Sequence, residues 1–169
     1  MFNSSEKKEN DEKQVKNSNQ FIVFTLNEQK FGIDVLKSRE IITASNLTSL
    51  PESCDFIRGV INLREEIIPI IDLHKRFKLQ NKLNSEDDKV IIISVNNTLI
   101  GLGVKDVEEI QSIEPDKISK APEVTHNINQ NYIQGIARLD NELIILIDID
   151  RIFSKKEIDE IKDFDYKKD

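Results

Sequence analysis

Few residues in this chain have the types and spacing that bond chemistry needs. His74 stands two residues after Asp72, near the end of a strand-like run, and a histidine oriented by a carboxylate is the usual form of a general base. Here a surface position is the simpler expectation for His74. His74 and His126 are the only histidines, and neither falls in a metal-ligand spacing such as His-Glu-x-x-His. Cys54 is the only cysteine. It has no histidine near it in sequence, and a buried structural thiol is the commoner case than a nucleophile. The Gly-Leu-Gly run at 101–103 lies between strand-like residues, not ahead of a helix, so it lacks the geometry of a phosphate loop. Asp72 and Asp148 could pair as an acid and a base, but they occupy matching places in a repeat. That points to a shared structural duty, hydrogen-bonding backbone N–H groups where a strand ends. No catalytic residue, metal site or cofactor site is therefore expected.

Composition narrows the classes further. The chain has 169 residues and a formal charge of −7, so a general nucleic-acid or anionic-membrane binder is disfavoured. Tryptophan is absent and tyrosine is limited to Tyr132 and Tyr166, which leaves no base-stacking platform. A lone cysteine excludes an internal disulfide and fits a reducing compartment. The start of the chain is polar and charged, without a signal-peptide pattern, and the apolar runs are far shorter than a membrane span. The expectation is a soluble intracellular protein.

The elements that would position any site are strands. Residues 1–19 lack periodicity and are expected to form a disordered tail. Phe21 to Leu26 reads as a strand, Asn27 and Glu28 as a turn, and Phe31, Ile33 and Val35 as the alternating return strand. The run "LKSREIITAS" continues extended. "VINL" and "IIPIIDL" are two further strands, with the hairpin turning at Arg64, Glu65 and Glu66. Pro69 cannot donate to a ladder, so its place should face a sheet edge or a bulge. After the polar linker "KLQNKLNSEDD" the pattern restarts with "KVIIISVNNTLIGLGV" and "KDVEEIQSI". A looser stretch with Pro115 and Pro122 follows. Near the end, Ser154 and Glu157 form a capping box for a helix over 154–164, with Ile158, Ile161 and Phe164 on one face.

The chain is internally duplicated. Residues 20–41 match 89–110 at Ile22/Ile91, Asn27/Asn96, Gly32/Gly101, Val35/Val104, Glu40/Glu109 and Ile41/Ile110. Residues 58–77 match 134–153 at Gly59/Gly135, Leu63/Leu139, Glu66/Glu142, Ile68/Ile144, Ile71/Ile147, Asp72/Asp148 and Phe77/Phe153. Four of the five glycines lie in these pairs, and a repeated glycine implies repeated backbone geometry. The reading is an all-β protein of two like units, each of roughly five short strands, sharing a hydrophobic seam because each is too small for a large core alone. One irregular β-sandwich is the alternative. Arg64 is among the positions that the second copy does not keep. A guanidinium is a natural interface anchor, which suits a protein that works by contact. A surface arginine paired with Glu65 or Glu66 is the rival reading of the same residue.

Four stretches carry a resemblance: "FIVFTLNEQKFGIDVLKSREII", "FIRGVINLREEIIPIIDLHKRF", "VIIISVNNTLIGLGVKDVEEI" and "YIQGIARLDNELIILIDIDRIF". Together they closely resemble CheW, the chemotaxis coupling protein family, over Gln20 to about Ile161. The resemblance implies two five-stranded SH3-like barrels, about 20–80 and 89–153, within a domain spanning 20–161, plus short helices and the C-terminal helix. It implies no enzymatic activity. It also implies a cytoplasmic scaffold, a monomer when free, recruited to membrane-associated chemoreceptor arrays. Its partners would be the CheW-like regulatory domain of the histidine kinase CheA and the cytoplasmic tips of methyl-accepting chemoreceptors, with no nucleic acid and no membrane insertion. Residue by residue, Arg64 matches the family's signalling arginine, with Asn62 and Leu63 beside it, and Glu65 replaces the usual glycine. Ser38 and Glu40 lie on the receptor-contact segment, where an apolar residue is common at the Ser38 place. Gly59 matches a glycine where change is disruptive. Lys89 and Val90 begin a strand linked to kinase contact, while Val107 and Ile110 match signalling contacts. For the apolar positions, core packing is the competing role. A small-metabolite-binding β-barrel is the alternative function.

Overall fold

A computed structural model describes residues 19–44, 47–49, 56–79, 88–120 and 130–166. The expected tail up to residue 18, Cys54, His126, the linker over 80–87 and the stretch around Pro122 lie outside the described residues. The chain folds as β1 (Gln20–Leu26), β2 (Gln29–Asp34), β3 (Ser38–Thr43), β4 (Thr48–Ser49), β5 (Ile57–Leu63), β6 (Glu66–Asp72) and the one-turn helix α1 (Leu73–Arg76). Then follow β7 (Lys89–Val95), β8 (Thr98–Val104), β9 (Asp106–Ser112), β10 (Ile118–Ser119), β11 (Ile133–Leu139), β12 (Glu142–Ile147) and the helix α2 (Lys155–Tyr166).

The strands form two six-stranded sheets, in the orders β10-β11-β12-β2-β1-β9 and β3-β7-β8-β6-β5-β4. In each, one edge strand (β10 or β4) has only two residues, so five longer strands remain per sheet, as expected. Each sheet draws on both halves of the chain. The hairpin β1–β2 joins β9–β12, and its repeat β7–β8 joins β3–β6. The boundaries 20–80 and 89–153 therefore mark the repeat units in sequence but do not bound the sheets. Parallel ladders lock the exchanged hairpins in place. Leu146 pairs with Gly32 on one side, and its twin Ile70 pairs with Gly101 on the other.

Alternation decides which side chains go where. Ile22, Phe24 and Leu26 of β1 enter the central cluster, whereas Phe21 and Val23 face a smaller cluster of their own sheet. In β7, Ile91, Ile93 and Val95 enter the central cluster, while Val90 and Ile92 face the small cluster of the other sheet. Strands buried on both faces read as continuous apolar runs, which is why "KVIIISV" shows no alternation in sequence. The central cluster takes residues from β1, β2, β5–β8, β11, β12 and α2 and is the expected seam.

Repeated glycines sit where strands approach closely, with no positive φ at any glycine among the described residues. A Cβ on Gly101 would overlap the Ile70 side chain and approach Val90 Cγ1 to 2.7 Å; at Gly32 it would meet Leu146 Cδ2 at 3.0 Å. Pro69 lies one residue before the ladder to β8 begins, so its missing N–H leaves no gap in that ladder.

Both repeated aspartates end their strands as expected. Asp72 Oδ1 accepts from the backbone N–H groups of His74 at 2.9 Å and Lys75 at 3.4 Å, and Asp148 Oδ1 accepts from Asp150 at 3.1 Å. The predicted capping box is also present. Ser154 N–H donates to Glu157 Oε1 at 2.8 Å, and Glu157 N–H donates to Ser154 Oγ at 3.1 Å. Ile158 and Ile161 of α2 are buried in the central cluster.

Candidate functional site

Arg64 and Glu65 are the two central residues of the β5–β6 turn, with φ of 52° and 70°. Two successive left-handed residues give a tight turn whose twist suits the flanking strands, the arrangement for which asparagine and glycine are favoured. Glu65 thus holds a backbone form that glycine adopts freely, at a steric cost. This turn carries Arg64 clear of its own sheet, and its side chain is 77% exposed.

Its partner is neither Glu65 nor Glu66. Arg64 Nη1 lies 3.0 Å from Glu40 Oε1, and Nη2 donates to Glu40 Oε2 at 3.1 Å. This planar fork onto a carboxylate is the strong form of the ion pair. Glu40 is aimed there by an irregularity in the edge strand β3. Ser38 pairs with Ile93 and Glu40 with Ile92, leaving Arg39 as an extra residue. Between the β3 edge and the β5–β6 turn lies an open groove of about 790 Å³, with Arg39, Glu40, Arg64, Glu65 and Glu66 as its charged residues and Leu63, Ile67 and Leu99 among its apolar ones. An exposed fork beside apolar side chains offers a partner both a charged register point and apolar area. Among the described residues no group of three His, Cys, Asp or Glu could hold a metal.

The other sequence-predicted residues divide. Asn62 is exposed on β5 beside the turn, and Ser38 is half-buried, its Oγ donating to the Val35 carbonyl at 2.7 Å. Gly59 is buried opposite Ile70 within the sheet. Lys89 bridges to β3, its Nζ donating to Thr43 Oγ1 at 3.2 Å. Val90 does not offer a contact surface: it is 0% exposed, packed in the small cluster with Ile70 and Ile92. Alternation puts Val90 on the inner face of a strand that has neighbours on both sides. Val107 and Ile110 lie on β9, in the other sheet from Arg64. Val107 is half-buried against the central cluster, and Ile110 is 52% exposed.

His74 is not on the surface. It is buried in the first turn of α1, with Nδ1 3.5 Å from Asp72 Oδ1. The aspartate cap draws the turn inward, so His74 has no open face for a reaction. Sequence reasoning also missed Arg76. Its guanidinium forks onto Glu157 at 2.5 and 2.8 Å, and Nε donates to the Ile152 carbonyl at 2.8 Å. The rings of Phe56, Tyr132 and Phe153 surround it, with centroids 5.1 to 5.5 Å away. Burial pushes the Glu157 carboxyl up, but the Ser154 N–H and Arg76 outweigh it and hold the group below its ordinary value of 4.5. The signal was available: Glu157 of the capping box is also the only acid in the first turn of α2.

No helix among the described residues is long and apolar enough to cross a membrane. Residues 20–157 match the model of the CheW-like domain. The chain is 34% identical over 139 residues to the chemotaxis protein CheW of Klebsiella aerogenes, covering 82% of this chain and 84% of that protein. It is 32% identical over 146 residues to the CheW of Treponema pallidum, covering 84% and 86%. In fold it matches the crystal structure of the scaffolding protein TtCheW from Thermoanaerobacter tengcongensis, with a TM-score of 0.74 at 36% identity over 81% of this chain and 93% of that one. A duplicated all-β body, an exposed arginine fork and similarity over nearly the whole paired domain lead to one assignment: the chain belongs to the CheW-like family of chemotaxis adaptor proteins.

Proposed function

We propose that this protein couples methyl-accepting chemoreceptors to the histidine kinase CheA as a scaffold, without catalysis of its own, and is recruited from the cytoplasm to receptor arrays. The observation that carries this reading is the exposed Arg64–Glu40 fork on the rim of an open, partly apolar groove. A receptor tip would bury the apolar wall of the groove and meet Arg64 at its rim, so apolar area supplies affinity and the charged pair sets register. Asn62 and Ser38 flank that contact, and Gly59 acts from within β5, where it is buried. Lys89, at the start of β7, is the member of the Lys89–Val90 pair that can reach a kinase surface. Val107 and Ile110 would act on the other sheet, Ile110 by direct contact. Coupling requires these surfaces to bind differently in receptor on and off states.

The test is a calorimetric titration of the full chain with the CheA regulatory domain, followed by co-sedimentation with receptor tips while kinase output is read. Saturable binding together with receptor-dependent kinase output supports the reading. No saturable binding to the kinase domain overturns it.

A further inference from the structure

The two walls of the Arg64 groove carry unlike charge. Between them Leu63 and Leu99 are half-buried, packed against the small cluster of their own sheet, and Ile67 is half-buried as well. Glu40 of β3 and Arg64 of the turn neutralise each other through the fork, which joins the walls at one point. Three charged residues of the lining are left over: Arg39 on β3, and Glu65 and Glu66 at the turn. All three are exposed, and none has an ion pair among the described residues.

Backbone geometry fixes this division. Arg39 is the extra residue between the Ser38–Ile93 and Glu40–Ile92 pairs, so it has no cross-strand partner on β7. Glu65 is held in the centre of the turn at φ of 70°, and Glu66 opens β6 opposite Leu63. One unpaired cation therefore stands on the β3 wall and two unpaired carboxylates on the turn wall. A helix with an apolar stripe can lie over the half-buried side chains in either of two antiparallel directions. Turning it end for end exchanges its flanks. If one flank is acidic and the other basic, only one direction sets acids against Arg39 and bases against Glu65 and Glu66. The other direction sets like charges together on both walls.

Resting on the coupling reading, which takes this groove as the receptor contact, we infer that Arg39, Glu65 and Glu66 select the direction in which a partner helix lies. The occupant is an amphipathic helix with one acidic and one basic flank, its acidic flank against Arg39 and its basic flank against Glu65 and Glu66. The apolar side chains supply area that does not depend on direction. The walls supply the difference between the two directions. That difference shrinks with salt, because the charges are exposed. Glu65 thereby acts through its charge as well as through its place in the turn.

The experiment is a magnetic-resonance titration of the isotope-labelled full chain with peptides of about 18 residues, long enough to hold a helix and free of receptor sequence. One peptide has a leucine stripe with glutamates along one flank and lysines along the other. Two controls carry glutamate, or lysine, on both flanks. The mixed peptide is expected to move the β3 and β5–β6 turn amides saturably and to bind roughly tenfold tighter than either control. A spin label on its N-terminus should broaden amides at one end of the groove only. Arg39→Glu alone, or Glu65→Lys with Glu66→Lys, should weaken the mixed peptide, whereas reversing both walls together should restore its affinity and move the broadening to the other end. These side chains are exposed and unpaired, so the variants keep the fold, which unchanged amide positions away from the groove verify. Equal affinity for all three peptides, no saturable shift, or broadening that stays at one end after both walls are reversed would overturn the inference. So would concentration-dependent movement of the same amides without peptide, which would name a second copy as the occupant. The two failures are distinguishable: if only the direction is wrong, receptor tips still co-sediment, and if only the coupling reading is wrong, the peptide still chooses a direction while kinase and receptor do not bind.

Discussion

Arg64→Ala separates a contact role from a structural one. The guanidinium makes two contacts with Glu40, at 3.0 and 3.1 Å, but its side chain is 77% exposed and that of Glu40 27%. Pairs of this exposure contribute roughly 0.2–1 kcal/mol, and the forked geometry puts this one near the upper end. Removing Arg64 leaves Glu40 within reach of water, so no buried charge is stranded. Alanine also sits at the same φ of 52° and carries a similar left-handed cost, so the comparison isolates the side chain. The unfolding midpoint should therefore fall by no more than about 2–4 °C. If the arginine anchors an interface, truncation costs about 2 kcal/mol or more in binding, or roughly 30-fold in Kd. Thermal unfolding, paired with co-sedimentation on receptor tips, reads both quantities on one protein. A midpoint drop well beyond that range with unchanged receptor affinity would refute the reasoning and make Arg64 a fold residue. Glu40→Gln and the double variant complete the cycle, and additive losses in binding would show that Glu40 does not position the guanidinium.

Four further outcomes follow from the packing. Arg76→Ala removes a fork from two partners whose side chains are 13% and 21% exposed, and should cost about 3 kcal/mol in urea unfolding; an unchanged midpoint would deny the latch between α1 and α2. Glu157, with its folded pKa lowered, contributes stability present above its ordinary value of 4.5 and lost as pH falls through the folded value. The stability gap between the parent and Glu157→Gln should accordingly narrow on acidification, and a gap that widens would reverse the assignment. Gly101→Ala should cost roughly 1–3 kcal/mol, and Gly32→Ala less, because only the Gly101 Cβ overlaps its neighbour. Glu65→Gly should stabilise by about 0.5 kcal/mol, relief of left-handed strain exceeding the added freedom of the unfolded chain, unless Glu65 makes a contact that chemical denaturation would reveal as a loss.

The repeat, the hairpins, both aspartate caps and the capping box were legible because each is set by local residue chemistry. The hairpin exchange was not legible. Ile22 pairs with Ile110 on β9, and its twin Ile91 pairs with Ile41 on β3. The same residue types meet in both sheets, so nothing in the strands' own composition tells β1 which edge strand to choose. Arg64 presented a similar difficulty. Glu65 and Glu66 are nearer in sequence, but the left-handed turn sends the guanidinium across to β3, a long-range outcome that spacing does not encode. Val90 was misplaced because "KVIIISV" is apolar at both parities, so its alternation is invisible until the two faces are separated by two different clusters.

Exchange of the hairpins has a physical consequence for a protein that works by contact. Were each unit closed on its own strands, the two would meet across one interface and could hinge there. Instead β2 is tied to β12 and β8 to β6 by parallel ladders, so each sheet contains a hairpin covalently continuous with the other sheet. The central cluster is packed by both hairpins, and relative movement of the sheets would have to disrupt close-packed contacts along its whole length. Arg76 adds a polar tie at one end of that core. The Arg64 groove and the exposed Ile110 of β9 are thus held at a fixed separation on one body, although they lie on different sheets. A fixed separation is what a scaffold needs when occupation of one surface is to determine where a partner sits on the other. Under the proposed coupling role, changes in output would then arise from partners changing their grip on the surfaces, because the described residues of the frame form no soft hinge.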